Sequence, residues 1–216
     1  MTEVTDWYAG EIDVLHADAA CIVIDKPAGL LSVPGRGPHL QDCASARVSA
    51  RFADALVVHR LDMATSGLLL FARGADAQRA LSRAFALREV HKRYVAVVAG
   101  RVAGDHGAID LPLIADWPNR PLQKVDCEIG KPSLTRWRVL GVEGDRTRLE
   151  LEPITGRAHQ LRVHLQAIGH PIVGDALYAP TEVLAASGRL LLHATTLRFA
   201  HPLGGETIEI ESAAPF

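Results

Sequence analysis

The sequence contains no long hydrophobic run, few cysteines and no excess of positive charge. Its longest apolar stretch, residues 67–72, is far shorter than the ~20 residues that a membrane-spanning helix requires. The three cysteines, Cys21, Cys43 and Cys127, are widely separated and form no Cys-x-x-Cys pair. This spacing argues against a disulfide framework and a thiolate metal site, so we expect reduced thiols.

The amino-terminal residues 1–7 lack both the basic segment and the apolar segment of a secretory signal. We therefore expect that the protein is not exported, works in the cytoplasm and has no membrane partner. We also expect a monomer.

The charge balance limits the kinds of partner that the chain can bind. It has 23 Lys and Arg against 25 Asp and Glu, which gives a formal net charge of −2 and a sequence pI of about 6.5. This balance argues against a protein that coats nucleic acid through overall charge, so any nucleic-acid site must be local. A local basic cluster does exist, although such a run is also typical of a solvated surface: Arg79, Arg83, Arg88, Lys92, Arg93 and Arg101.

The pattern of apolar residues predicts more strands than helices. Strands are predicted at 12–15, 20–25, 56–59, 67–73, 93–98, 133–140, 146–152, 190–199 and 206–210, and helices at 40–51, 75–88 and 157–169. Because strands and helices do not alternate regularly, the pattern favours an α+β fold with a mixed, largely antiparallel sheet and flanking helices. No repeat or linker divides the chain, so we predict one catalytic domain over 1–216, with functional loops at 26–38 and 112–121.

A carboxylate lies in the loop between two predicted core strands. Residues 57–67 place Arg60 and Asp62 after a short apolar strand and before the apolar run 68–70. An aspartate of ordinary acidity is ionised at neutral pH, so Asp62 is a candidate nucleophile or base. The same segment is also typical of turn chemistry, in which Asp62 would only shape the loop.

A second polar segment, residues 153–164, is predicted to open a helix that Thr155 or Gly156 caps. On this helix Arg162 borders the buried stripe, where a guanidinium needs an anionic partner. We predict that Asp62 is that partner, because a paired arginine would keep the carboxylate oriented and charged.

A third segment, residues 91–98, begins with basic residues and continues as a strand. Tyr94 would present its ring near the start of this strand, where it could stack on an extracted base. The alternative is a core tyrosine whose hydroxyl is satisfied internally.

Taken together, these segments resemble the RluA family of RNA pseudouridine synthases along nearly the whole chain. The matching motifs are residues 25–30, His59-Arg60-Leu61-Asp62 with residues 65–67, residues 92–94, residues 155–162, residues 169–175, residues 192–194 and His201-Pro202. The resemblance implies the pseudouridine synthase fold and the isomerisation of uridine to pseudouridine without a redox or metal cofactor.

The resemblance also assigns roles to individual residues. It implies that Asp62 is the catalytic aspartate, that Tyr94 lies against the target base and that Arg162 pairs with Asp62. Arg60 would enter the RNA as the base leaves the stack. Asp62 could either add to C1′ or remove the 2′ proton, and both routes stay open.

Within the family, residues 31–36, 63–64, 111–113 and 116–121 resemble a member that acts on both a tRNA anticodon arm and a large-subunit rRNA hairpin. The implied targets are tRNA uridine 32 and 23S rRNA uridine 746. We expect the loop at 116–121 to contact the stem-loop through Trp117 and Arg120. The chain is also expected to lack the N-terminal S4-like RNA-binding module of longer members.

Two other classes of protein are weighed against this prediction. A non-catalytic RNA-binding protein with the same fold is disfavoured, because Asp62, Tyr94 and Arg162 are all present. A metallohydrolase built from histidines such as His159, His164 and His170 is disfavoured, because they do not form a His-Glu-x-x-His pattern. Residues 35–38 also lack the features of a phosphate loop, so we expect no nucleotide cofactor.

Overall fold

The computed structural model describes residues 11–216. Residues 1–7, from which we expect that the protein is not exported, lie outside the described residues. The described chain divides into two compact units. Unit 1 contains the residues up to His91 together with Ala194–Ala213, and unit 2 contains Lys92–His193 together with Ala214–Phe216. Both units combine antiparallel strands with helices, so the predicted α+β fold with a largely antiparallel sheet is confirmed.

The elements follow one another along the chain as β1 (Asp13–Ala17), β2 (Cys21–Lys26), α1 (Ala44–Arg51), β3 (Ala55–Val57), β4 (Ser66–Arg73), α2 (Gly74–Ala86), β5 (His91–Ala99), β6 (His106–Asp110), β7 (Leu113–Ala115), β8 (Gln123–Val125), β9 (Leu134–Glu143), β10 (Arg146–Pro153), α3 (Gln160–Ala167), α4 (Thr181–Ala185), β11 (Leu192–Ala200) and β12 (Thr207–Glu211). Two short 3-10 turns cover Pro38–Leu40 and Trp117–Asn119.

The core of unit 1 is formed by β2 and β4, which pair antiparallel from Cys21 opposite Ala72 to Lys26 opposite Gly67. Every residue of β4 except the last is buried, and α2 packs against this strand through Ala77 and Leu81. A strand covered on both faces shows a continuous apolar run rather than alternation. The run at 67–72 is therefore a central strand, with β1 beyond β2, and with β3 and β11 also paired to β4.

Gly67, at the start of β4, is required by the closeness of the next strand. Its φ is +108°, and a Cβ atom there would lie 2.3 Å from the carbonyl oxygen of Ala194 and 2.5 Å from its nitrogen. Any side chain would push these strands apart. Gly67 thus permits β4 to pair closely with β11.

Unit 2 contains four antiparallel strands in the order β5, β10, β9, β6, and a separate hairpin of β7 and β8. Along β10 buried residues alternate with partly exposed ones, as expected of a sheet with one covered face. Helix α3 packs against β8, β9 and β10.

A buried polar network fixes α3 in unit 2. His164 lies 3.0 Å from the Leu111 carbonyl through Nε2 and 2.9 Å from the Thr135 hydroxyl through Nδ1. Because a carbonyl can only accept, Nε2 carries the proton and Nδ1 accepts from Thr135, whose oxygen accepts from the Gln160 amide at 3.0 Å. Burial lowers the pKa of His164, so folding favours the neutral form of this side chain.

The sequence predicted most elements but placed the starts of α1 and α3 too early, and it did not predict β6, β7, β8 or α4. All nine predicted strands and all three predicted helices are present, with shifted ends. Helix α3 begins at Gln160 rather than near 157, and its N-cap is His159, with φ +53°, rather than Thr155 or Gly156. The Thr155 hydroxyl instead bonds the Gln160 side chain at 2.7 Å. The stretch 112–121 is not only a loop, because it contains β7 and a 3-10 turn.

Within residues 11–216, no helix has the length and apolar character that crossing a membrane requires. That residues 1–216 act as a single catalytic domain, without an S4-like RNA-binding module, stays a prediction.

His164 should make the stability of the fold depend on pH. Its folded pKa is lowered, so its contribution is complete above the unfolded value near ~6.5 and is lost as pH falls below it, by at most about 1.4 kcal/mol per pH unit. Urea unfolding at about pH 7.5, 6.5 and 5.5 would measure this loss. His164→Gln should flatten the slope, and the same change at exposed His106 should not. Equal slopes in wild type and His164→Gln would contradict the assignment.

Candidate active site

Arg60 and Asp62 lie in the loop that joins β3 to β4 in unit 1. The Asp62 side chain is half-buried and Arg60 is exposed. The amide of Thr65 donates to the main-chain carbonyl of Asp62 at 3.1 Å and closes a turn. The backbone of Asp62 therefore takes part in the turn that places its side chain.

Ser32 holds the backbone immediately before Asp62. Its hydroxyl donates to the carbonyl of Leu61 at 2.7 Å and accepts from the amide of Leu61 at 3.0 Å. Ser32 is buried, so water does not compete for these bonds. One side chain thus satisfies both main-chain groups of the residue before the carboxylate.

Lys26 holds the backbone immediately after Asp62. The side chain is 0% exposed, and its ammonium group donates to the carbonyls of Pro27, Leu30 and Met63 at 2.8, 2.8 and 3.2 Å. The amide of Gly29 also donates to Met63, at 2.8 Å. The loop that contains Asp62 is therefore fixed to the loop after β2 on both sides of the carboxylate.

His59 secures the beginning of the same loop. Its Nε2 accepts from the amide of Leu70 at 3.0 Å, and its ring stacks on Phe85 of α2 at 4.5 Å. Since Nε2 accepts this bond, it carries no proton. His59 thereby ties the loop to both β4 and α2.

In unit 2, Arg162 lies on α3 and is 4% exposed. Its guanidinium makes a two-point ion pair with the fully buried Asp175, with Nε–Oδ2 of 2.8 Å and Nη2–Oδ1 of 2.6 Å. Asp175 also accepts from the amides of Leu177 and Tyr178. Asp175 is therefore an anionic partner of the buried Arg162 guanidinium. The expected pairing of Arg162 with Asp62 stays a prediction.

Tyr178 joins the helix of Arg162 to the β7–β8 hairpin. Its hydroxyl accepts from the amide of Gln123 at 2.9 Å and shares a hydrogen bond of 2.6 Å with Nδ1 of His159. The Arg162 guanidinium lies over the tyrosine ring, 5.1 Å from its centroid. Tyr178 therefore fixes the hairpin, the start of α3 and Arg162 relative to one another.

Tyr94 and the hairpin residues occupy separate places in unit 2. Tyr94 lies on β5 opposite Leu151 and is 9% exposed. Trp117 and Arg120 lie at the turn between β7 and β8, where the guanidinium sits 4.3 Å from the centre of the indole ring. Trp117 is 65% exposed, so this pair offers a flat cationic surface to a partner.

The structure thus brings Arg60 and Asp62 together in one loop, and Trp117 and Arg120 in one stacked pair. Sequence reasoning assigned no role to Lys26, Ser32, Asp175 or Tyr178. Lys26 and Asp175 did occur in the quoted motifs, but a motif does not say which backbone groups a side chain reaches. The histidines of the metallohydrolase alternative have other partners: His159 bonds Tyr178, His164 bonds Thr135 and Leu111, and His170 lies 2.9 Å from the Ala99 carbonyl.

The family model described as RNA pseudouridylate synthase matches residues 20–167, which contain β2, the Asp62 loop and all of α3. The chain belongs to this family, and the predicted resemblance is confirmed. The dual-specificity RNA pseudouridine synthase RluA of Pasteurella multocida (strain Pm70) is 48% identical over 216 residues, which cover 100% of this chain and 97% of the relative. The protein of that name from Yersinia pestis is 50% identical over 204 residues, 94% of this chain and 99% of the relative.

A solved structure is similar along nearly the same length. Human RNA Pseudouridylate Synthase Domain Containing 1 is 29% identical, with a TM-score of 0.79 that covers 95% of this chain and 84% of that one. The fold predicted from the sequence is therefore the fold of this family.

Replacing Ser32 should impair turnover more than stability. Ser32→Ala removes both bonds to Leu61 and should lower the free energy of unfolding by about 1–3 kcal/mol. Because the Asp62 carboxylate would then shift, kcat should fall about tenfold or more. The matched control is Ser133→Ala, a buried serine outside this loop whose hydroxyl donates to the Lys131 carbonyl at 2.8 Å. Urea unfolding and single-turnover kinetics on RNA would measure both. Similar kcat values for both variants would show that Ser32 does not position Asp62.

Proposed function

We propose that this chain isomerises uridine to pseudouridine in RNA stem-loops, with Asp62 as the catalytic carboxylate. Membership of the pseudouridylate synthase family supports the reaction class. The choice of Asp62 rests on the way its loop is held in place. Ser32 and Lys26 fix the backbone on either side of a half-buried carboxylate. Groups that act at one carbon atom need such fixed geometry.

The reaction rearranges one nucleotide and consumes no other reactant. The N1–C1′ bond breaks, uracil turns, and a C5–C1′ bond forms, after which C5 loses its proton and N1 gains one. Asp62 would either bond to C1′ and later leave, or take the 2′ proton and later return it. Neither route requires a metal or redox cofactor.

Arg162 would orient Asp62 and balance its charge. The guanidinium has five N–H donors in a planar fork, more than the Asp175 carboxylate alone accepts. Asp175 sets the plane of the guanidinium through Nε and Nη2. Because Tyr178 packs on the same guanidinium, the orientation is held from a second side.

Tyr94 would lie against the extracted uracil, with its hydroxyl near the atom that loses a proton. A base must leave the helical stack to expose C1′, at a cost of a few kcal/mol that is smallest in a loop. Stacking on an aromatic ring recovers about 1–3 kcal/mol. The proposed substrates are therefore hairpin loops, namely a tRNA anticodon arm and a large-subunit rRNA hairpin, in line with the dual-specificity relatives.

Arg60, Trp117 and Arg120 would bind the RNA around the reacting base. Arg60 is exposed two residues before Asp62, so its guanidinium can occupy the space that the base vacates. The stacked pair of Trp117 and Arg120 would bind the stem-loop through a flat ring and a positive charge. We also propose a monomer that acts in the cytoplasm, where these RNAs are found, as a single catalytic domain.

Asp62→Asn should abolish turnover while RNA binding survives, because the amide keeps the shape of the carboxylate but loses its charge. Tritium release from RNA labelled at C5 of uridine would measure turnover, in the presence of EDTA to remove metals. The matched control is Asp76→Asn on exposed α2, which should keep wild-type activity. Turnover of Asp62→Asn within tenfold of wild type would refute the catalytic assignment, and a wild type without tritium release would favour an RNA-binding protein that lacks activity.

Arg120→Ala and Arg60→Ala should affect different steps. Arg120→Ala should raise KM and flatten the salt dependence of RNA binding, with kcat largely retained, because it removes a contact to RNA. Arg60→Ala should lower kcat, because the base is no longer held outside the stack. Arg79→Ala, which removes a surface charge paired with Asp76, is the control. If both variants changed only KM, Arg60 would be a phosphate contact and not a base-flipping residue.

A further inference from the structure

Three side chains with metal-binding atoms meet at the turn between β1 and β2. His16 lies near the end of β1, Asp18 follows that strand and Cys21 is the first residue of β2. Their nitrogen, oxygen and sulfur atoms all lie within 4.8 Å of one another. Within residues 11–216, these three side chains form a group that is close enough to hold a metal ion. The reaction proposed above uses none of them.

The sulfur–oxygen separation matches an edge of a tetrahedral zinc site, and the nitrogen–oxygen separation is somewhat shorter than one. Nε2 of His16 lies 2.8 Å and Sγ of Cys21 lies 3.6 Å from Oδ2 of Asp18. Zinc bonds of the usual lengths at tetrahedral angles place nitrogen and oxygen ligands about 3.3 Å apart, and sulfur and oxygen ligands about 3.5 Å apart. Small side-chain rotations would therefore bring the three atoms to ligand positions.

The turn holds the aspartate in the orientation that such a site needs. Oδ1 of Asp18 accepts from the amides of Ala20 and Cys21 at 2.7 and 2.8 Å, and the Asp18 amide donates to the Cys21 carbonyl at 3.0 Å. These bonds direct Oδ2 toward the histidine and the cysteine. The site is thus ordered by its own backbone before any ion binds.

Two carboxylates, Asp18 and Glu206, act on the Cys21 thiol. The Arg73 guanidinium, which donates to the Asp18 main-chain carbonyl at 2.8 Å, is itself paired with Asp54. Burial opposes ionisation of Asp18, but the two amide bonds and His16 outweigh it and lower the pKa of this carboxyl. Burial, Asp18 and Glu206 together raise the pKa of the Cys21 thiol to about 12. The carboxylates that hinder formation of a lone thiolate would stabilise a divalent cation beside it.

His201 supports this group but does not fit as a fourth ligand. Its Nδ1 accepts from the amide of Gly204 at 2.8 Å, so the proton of the neutral ring is on Nε2. That nitrogen lies 3.3 Å from Oδ2 of Asp18, to which it can donate. Such a donor fixes a ligating carboxylate from outside the metal's coordination shell.

We propose that the β1–β2 turn binds one Zn²⁺ through Nε2 of His16, Oδ2 of Asp18 and Sγ of Cys21, with water as the fourth ligand. Binding would displace the thiol proton of Cys21 to solvent and form the zinc–sulfur bond. It would also replace the hydrogen bond from Nε2 of His16 to Asp18 with a zinc–nitrogen bond, as the proton of the neutral ring moves from Nε2 to Nδ1 by exchange with solvent. The ion would have a structural role, because Cys21 and Lys26 occupy opposite ends of β2, roughly 17 Å apart at the usual rise per residue. It would brace the turn from which β2 extends to the Asp62 loop.

Cobalt is a suitable probe, because a cobalt–thiolate bond absorbs in the near ultraviolet and cobalt bound only by nitrogen and oxygen does not. The full chain, freed of any polyhistidine tag and treated with EDTA, would be titrated with Co²⁺. We expect one Co²⁺ per chain, a thiolate charge-transfer band and loss of that band on addition of Zn²⁺. The band should disappear in Cys21→Ser and persist in Cys127→Ser, the matched change at an exposed cysteine.

A wild-type protein that shows no thiolate band would overturn the proposal, as would a band that Cys21→Ser leaves unchanged. Cys21 is fully buried, so Cys21→Ser must be checked for folding by circular dichroism. Should it fail to fold, His16→Gln at a partly exposed site serves instead, and it should weaken Co²⁺ binding at least tenfold. Unchanged binding in a folded His16→Gln protein would likewise refute the site.

Discussion

Lys26 is fully buried, and its ammonium group bonds carbonyl oxygens on two separate loops of unit 1. A buried charge is costly unless its hydrogen bonds are satisfied, so neither loop can move away from the lysine without a large loss of stability. Ser32 adds two bonds to the neighbouring residue Leu61. The position of Asp62 is therefore constrained through the backbone on either side of it.

Unit 2 applies the same principle to its basic and aromatic residues. Asp175 and Tyr178 orient Arg162, and Thr135 with Gln160 fixes His164 at the centre of α3. No buried side-chain nitrogen or oxygen among residues 11–216 lacks a hydrogen-bond partner. Polar networks that are fully satisfied make a core rigid and specific, which suits a helix that holds the buried Arg162 in one orientation.

The local strand pattern and the family could be predicted because both depend on short stretches of sequence. The continuous apolar run of β4 and the alternation of β10 result from how many faces of each strand are covered. The start of α3 could not be predicted in this way. Thr155 resembles a helix cap, but its hydroxyl bonds the side chain of Gln160, and His159 in a left-handed conformation begins the helix instead.

The sequence alone determined the family, the α+β class and the candidate residues Asp62, Tyr94 and Arg162, because these depend on residue types at fixed spacing. The tertiary structure decided what surrounds them. Asp175, thirteen residues beyond Arg162, becomes its ion-pair partner, and Lys26 reaches Met63 from 37 residues away. Such contacts depend on how strands and loops are brought together in space, and no local pattern in the chain encodes that distance.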